Sequence, residues 1–228
     1  GVGAKVGHDS QVWQVRQGGA RRRPRRGSGA YPVCMTRQAQ ASQGYASGMR
    51  IGTFVGVPVY IGWTWVLLAA FITWTSGQSY ARVYPELGAM GYAIGLAVAV
   101  GLLVSVLVHE AAHALSARAF GLKVRRIVAD LMGGHTAFEG RTTPWSQGIT
   151  GVAGPTANLL LAGVLYAVGL ALPEGVTSAA LLRLGFINVL LAVFNLLPGL
   201  PLDGGQVLMA AVWRLTGSPH RASVVAGW

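Results

Sequence analysis

Residues 93–113 read Ala93-Ile-Gly-Leu-Ala-Val-Ala-Val-Gly-Leu-Leu-Val-Ser-Val-Leu-Val-His109-Glu110-Ala-Ala-His113, an apolar run that ends in three ionisable side chains. No charged residue lies between Glu86 and Glu110, so the run predicts a membrane-spanning helix, from about Met90 to Ala119. On a helix, residues i and i+4 share a face, and His109 and His113 can point at one metal ion. Glu110 sits one step round, within reach of a water on that ion. Ionisable side chains inside a span are costly and are functional candidates by default. In this order they point to zinc-dependent hydrolysis inside a membrane.

The rest of the chain agrees with a membrane setting. Of 228 residues 52% are hydrophobic and 11% charged, with a mean hydropathy of +0.48, far from an ordinary soluble domain. The expected fold class is an all-α polytopic membrane protein with at least four transmembrane helices. The single cysteine, Cys34, excludes an internal disulfide framework and a cysteine-rich zinc module.

The net charge of +11 is unevenly placed. Residues 1–48 carry Lys5, Arg16, Arg21, Arg22, Arg23, Arg25, Arg26 and Arg37 against Asp9 alone. This stretch lacks periodicity and is rich in Gly, Arg, Gln and Ser, so it reads as a disordered basic extension. A basic tail can also bind anionic lipid or nucleic acid, but no nucleic-acid partner is expected. A native start at Met49 is expected.

The first span is predicted over Val55–Trp74, although Val57, Val59 and Ile61 alternate like a short strand. Gly121–Gln147 is more polar, with apolar patches at 124–132 and 136–138 around Gly133-Gly134, which predicts a small hairpin or re-entrant segment. The third and fourth spans are expected over Ile149–Leu172 and Ala179–Leu197. Ser218–Trp228 reads as the entry to another helix. Arg118, Lys123, Arg125, Arg126 and Arg141 fall on one side of the membrane, with Arg50, Arg214 and Arg221. The bias of Lys and Arg toward the cytoplasm places that side, the hairpin and the N-terminus there.

Two histidines leave a zinc site one protein ligand short. Asp203, the only acidic residue after Glu174, follows Pro198 and Pro201 at the end of the fourth span. The prolines are expected to unwind residues 195–203 and turn Asp203 inward. A loop aspartate at the membrane surface is the alternative. His135 is a weaker candidate, as a fourth ligand in a resting state or as a solvated loop histidine.

The His109-Glu-Ala-Ala-His113 span, Gly154-Pro155-Thr-Ala-Asn158, and Asn195-Leu-Leu-Pro198 leading to Leu202-Asp203-Gly204 together resemble the site-2 protease family of intramembrane zinc metalloproteases. The opening Gly52-Thr-Phe-Val-Gly-Val-Pro-Val-Tyr-Ile-Gly-Trp63 is similar to the start of its compact bacterial members. The resemblance covers residues 49–228 and implies one Zn2+ per chain held by His109, His113 and Asp203, with Glu110 as general base. Asn158 and Asn195 fall on family positions, where they either orient substrate and stabilise an oxyanion or bond helix to helix.

The resemblance implies an intramembrane endopeptidase of the cell membrane. Its partners would be the bilayer and single-span proteins, such as an anti-sigma or transcription factor. A PDZ domain does not fit between Ala119 and Ile149, and the family's last helices are expected to be missing from residues 49–228. A metal transporter using the same cluster, or a catalytically inactive scaffold, is the alternative. Transport does not need Glu110, and no repeated half is visible.

Overall fold

The computed structural model describes residues 48–130 and 135–227. The extension expected over residues 1–48 lies outside them save for Gly48, as do Gly133, Gly134 and the His135 side chain. In chain order the elements are strands β1 (Gly48–Phe54) and β2 (Val57–Gly62), helices α1 (Thr64–Val83) and α2 (Met90–Ala119), strands β3 (Lys123–Ala129) and β4 (His135–Glu139), and helices α3 (Pro144–Ala171), α4 (Val176–Asn195), α5 (Asp203–Thr216) and α6 (Pro219–Ala226). A single 3-10 turn at Pro85–Leu87 joins α1 to α2.

Three helices, α2, α3 and α4, are long and apolar enough to cross a membrane. The 30 residues of α2 extend about 45 Å and the 20 of α4 about 30 Å. Their outward faces carry bare apolar side chains such as Leu160, Val164, Leu170, Phe186 and Phe194. A surface of that kind is solvated by lipid rather than water.

The first predicted span needs correction. The apolar run from Val55 contains a strand, and the helix starts only at Thr64 and continues to Val83. From its middle onward it carries Thr73, Thr75, Ser76, Gln78 and Ser79, so α1 falls short of the apolar length of the other three. The structure therefore has three candidate spans among the described residues. The short strand at Val57–Ile61, the two 121–147 patches and the terminal helix all appear.

The sheet is larger than the expected hairpin. Four strands run in the order β1-β2-β3-β4, with β2 and β3 parallel and the other pairs antiparallel. The fold is thus mostly helical with a mixed sheet. Val55 and Gly56 both take positive φ, which closes β1–β2 as a two-residue turn of the twist-matching type. The Arg118 guanidinium donates to the Val55 carbonyl, tying that turn to the end of α2.

Val57 and Val59 of β2, Ile127 of β3 and Ala114 of α2 form a buried apolar cluster, flanked by Leu107 and Val124. This cluster fastens the sheet beside His113. At the far end of β3, Asp130 accepts a hydrogen bond from Thr64, the first residue of α1.

Candidate metal centre

The site is gathered by α2, α3 and α5. His109 and His113 lie one turn apart on α2 with their ring centroids 4.7 Å apart and their planes near perpendicular. The Nε2 atoms stand 3.0 Å from each other. Asp203 Oδ2 lies 3.0 Å from His109 Nε2 and 3.2 Å from His113 Nε2. All three residues are buried, and together they form the one group of metal-binding side chains among the described residues.

A tetrahedral zinc ion with bonds of ~2.0–2.2 Å keeps its donors about 3.3 Å apart, close to this triangle. The tautomer of His113 fits as well. Its Nδ1 is 2.7 Å from the Thr150 carbonyl, which can only accept, so Nδ1 carries the proton and Nε2 keeps a lone pair for a metal. Two nitrogens and a carboxylate oxygen, leaving one coordination position open, are the donor set of a catalytic rather than a closed structural zinc site.

Small residues on α3 make this convergence possible. A Cβ at Gly154 would lie 2.4 Å from His113 Nε2 and 2.6 Å from His109 Nε2. One turn earlier, Thr150 supplies the carbonyl that fixes His113. Gly151 faces the Asp203 backbone, where a Cβ would come within 3.3 Å of its carbonyl oxygen. Both glycines let α3 approach its neighbours closely, Gly151 at α5 and Gly154 at the ring nitrogens themselves.

Asp203 arrives as the prolines predict. Helix α4 stops at Asn195, an irregular turn follows, and Asp203 opens α5, where the free N–H groups of a helix start favour a carboxylate. The turn folds tightly over that start. A side chain at Gly204 would collide with the carbonyl oxygens of Leu196 and Leu197 at 2.3 Å.

Glu110 is 3% exposed. Thr136 of β4 donates its hydroxyl toward Glu110 Oε2 at 2.9 Å and lies 3.1 Å from the Glu110 carbonyl. Sequence reasoning missed both Thr136 and Thr150. Neither belongs to a recognisable spacing, and Thr150 acts through a backbone carbonyl, which every residue has.

The two asparagines differ. Asn158 lies one turn beyond Gly154 on α3, is 1% exposed, and neither amide atom has a hydrogen-bond partner among the described residues. Asn195 is half-buried at the end of α4 and donates to the Leu191 carbonyl of its own helix at 2.9 Å.

The model of Peptidase family M50 matches residues 97–179 and 171–228, which include every donor of the cluster. The chain belongs to peptidase family M50. This M50 chain is 39% identical over 183 residues to a Synechocystis protein provisionally named a zinc metalloprotease, covering 79% of the chain and 48% of the relative. A Mycobacterium tuberculosis protein, again provisionally named a zinc metalloprotease, is 36% identical over 189 residues, covering 77% and 46%. The chain thus spans about half the length of the curated relatives it matches. The solved site-2 protease of Methanocaldococcus jannaschii superposes with a TM-score of 0.58 at 23% identity, covering 78% of this chain and 77% of that one, a likeness of fold.

The family match, three apolar helices and a buried three-donor cluster thus coincide in one chain.

Proposed function

We propose that this M50 chain carries the catalytic core of a zinc-dependent endopeptidase that cleaves single-span proteins within or beside the bilayer. The observation that carries the proposal is the buried His109–His113–Asp203 triangle, its histidines on an apolar helix with Glu110 beside them in the chain. His109, His113 and Asp203 would hold one zinc ion per chain. When bound, the ion supplies Lewis acidity that acidifies water and polarises a peptide carbonyl.

The chain's own residues do the rest. Glu110 takes a proton from the attacking water and returns it to the leaving amine. Thr150 keeps His113 in the tautomer that leaves its lone pair outward. Asn158, with its buried amide unpartnered, orients the substrate carbonyl or steadies the oxyanion; Asn195 contacts substrate through its carboxamide oxygen.

A peptide bond in a helix is shielded by its own hydrogen bonds, so the substrate must unwind. Among the described residues the sheet has two edge strands, β1 and β4, and β4 touches Glu110. An extended segment added along β4 would lie beside the base. The chain is read as a multi-pass protein of the cell membrane with α1 as a fourth, less apolar crossing. The basic 118–141 region and the N-terminus face the cytoplasm. Membrane-anchored anti-sigma or transcription factors fit the substrate class.

The test uses purified protein, a panel of single-span reporters and a zinc chelator. Glu110→Gln should keep about one zinc per chain and lose at least ~100-fold in cleavage rate. Asp203→Ala should lose both zinc and cleavage, since two histidines alone hold the ion poorly. Metal flux into liposomes that survives Glu110→Gln, with no peptide product from either protein, would replace the protease by a transporter.

A further inference from the structure

Glu110 is held from outside the helical bundle. Among the described residues its carboxylate has one side-chain donor, Thr136, which belongs to a strand 26 residues further along the chain. The placement of that strand is not accidental to α2. β4 pairs with β3 at Thr136↔Ile127, and Ile127, 1% exposed, packs with Ala114, the residue after His113. The same cluster that docks the sheet therefore sets the height of Thr136 against Glu110.

A buried glutamate has several rotamers to choose from, and the reach of its carboxylate depends on which one it takes. The Thr136 hydroxyl has one proton and two acceptors in reach, the Oε2 and the carbonyl of the same residue. It thus pins the side chain against its own backbone. We infer that Thr136 is a positioning residue for the general base, fixing the Glu110 carboxylate in the rotamer from which it can reach the attacking water. The inference rests on the reading of Glu110 as base given above. Threonine suits the task because its methyl group stiffens χ1 and its hydroxyl adds no charge to a buried site.

The experiment compares Thr136→Val, which keeps the shape and removes the hydroxyl, with Thr136→Ala and Thr136→Ser. With the single-span reporter that wild-type protein cleaves fastest, Thr136→Val and Thr136→Ala should lower kcat about 10- to 100-fold, with KM within about twofold. Thr136→Ser should stay within about threefold of wild type, and all three should keep wild-type zinc content. A solved structure of Thr136→Val, read independently of turnover, should show the Glu110 carboxylate turned from its wild-type position.

An unmoved carboxylate, or a wild-type kcat in Thr136→Val beside an inactive Glu110→Gln, overturns the inference and leaves the base assignment intact. Full activity in Glu110→Gln instead overturns the base assignment itself. If Val and Ala variants lose zinc or fail to accumulate folded while Ser does not, the hydroxyl serves the fold, and the positioning role is rejected.

Discussion

The helical half of the site and the sheet half solve different problems. On the helices, two donors come from one turn of α2, and the third comes from a break 90 residues later. α3 lies between them with glycines where side chains would intrude. On the sheet, one hydroxyl reaches Glu110, and its position depends on a core cluster of four buried residues from β2, β3 and α2. The helical half is a matter of local period and missing Cβ atoms, and so tolerates little change at a few positions. The sheet half is a matter of docking, spread over many contacts, so single substitutions there should act on geometry more than on metal.

Gly154→Ala strikes the helical half hardest. Its methyl group must displace the ring of His109 or His113, and His113 is already tied to Thr150, so zinc affinity should fall by at least ~10- to 100-fold. Competition with a coloured chelator measures it. Wild-type affinity would mean that the rings have slack, and that the triangle does not depend on α3.

A smaller effect is expected where α4 braces α2. Asn188, fully buried, donates to Ser105 Oγ at 2.9 Å, one turn before His109. Asn188→Ala should cost about 0.6–1.7 kcal/mol of stability in bicelles, the range of interhelical hydrogen bonds in membrane proteins. Zinc content should stay at the wild-type level, because Ser105 retains its bond to the Gly101 carbonyl. Loss of zinc would show that helix bracing and the donor set are one unit.

The smallest effect belongs to the outer side of the sheet. Arg125 and Glu139 pair at 2.6 Å across β3–β4 with both side chains more than half exposed. The Arg125 hydrogen bond holds the Glu139 carboxyl below the usual range, so the attraction is present at neutral pH and is lost as pH falls through that lowered value. Arg125→Ala should raise the Glu139 titration midpoint by NMR while leaving melting temperature, zinc content and cleavage unchanged. A clear drop in cleavage would mean that the position of β4 depends on its surface pairs as well as on its core.

Much of the helical half could be read in advance. The boundaries of α2 follow from an uncharged apolar run, the histidine pair follows from the helical period, and Pro198 and Pro201 mark the break that delivers Asp203. The first span was misplaced because an apolar run does not by itself distinguish a buried strand from a helix. The alternation at Val57, Val59 and Ile61 was the stronger signal there. The 121–147 pattern predicts a hairpin or re-entrant segment, yet its pairing with β2, more than sixty residues earlier, leaves no trace in local pattern.

The sequence by itself singled out His109, Glu110 and His113 as candidates for metal-binding and acid–base chemistry, because the spacing of ligands on a helix and the cost of charge in an apolar segment are local properties. Only the tertiary structure decided what holds those residues in place. Thr150 acts through a carbonyl, Gly154 through an absent side chain, and Thr136 through a strand whose position is set by core packing. Contacts of that kind depend on where distant segments meet, and no residue type announces them.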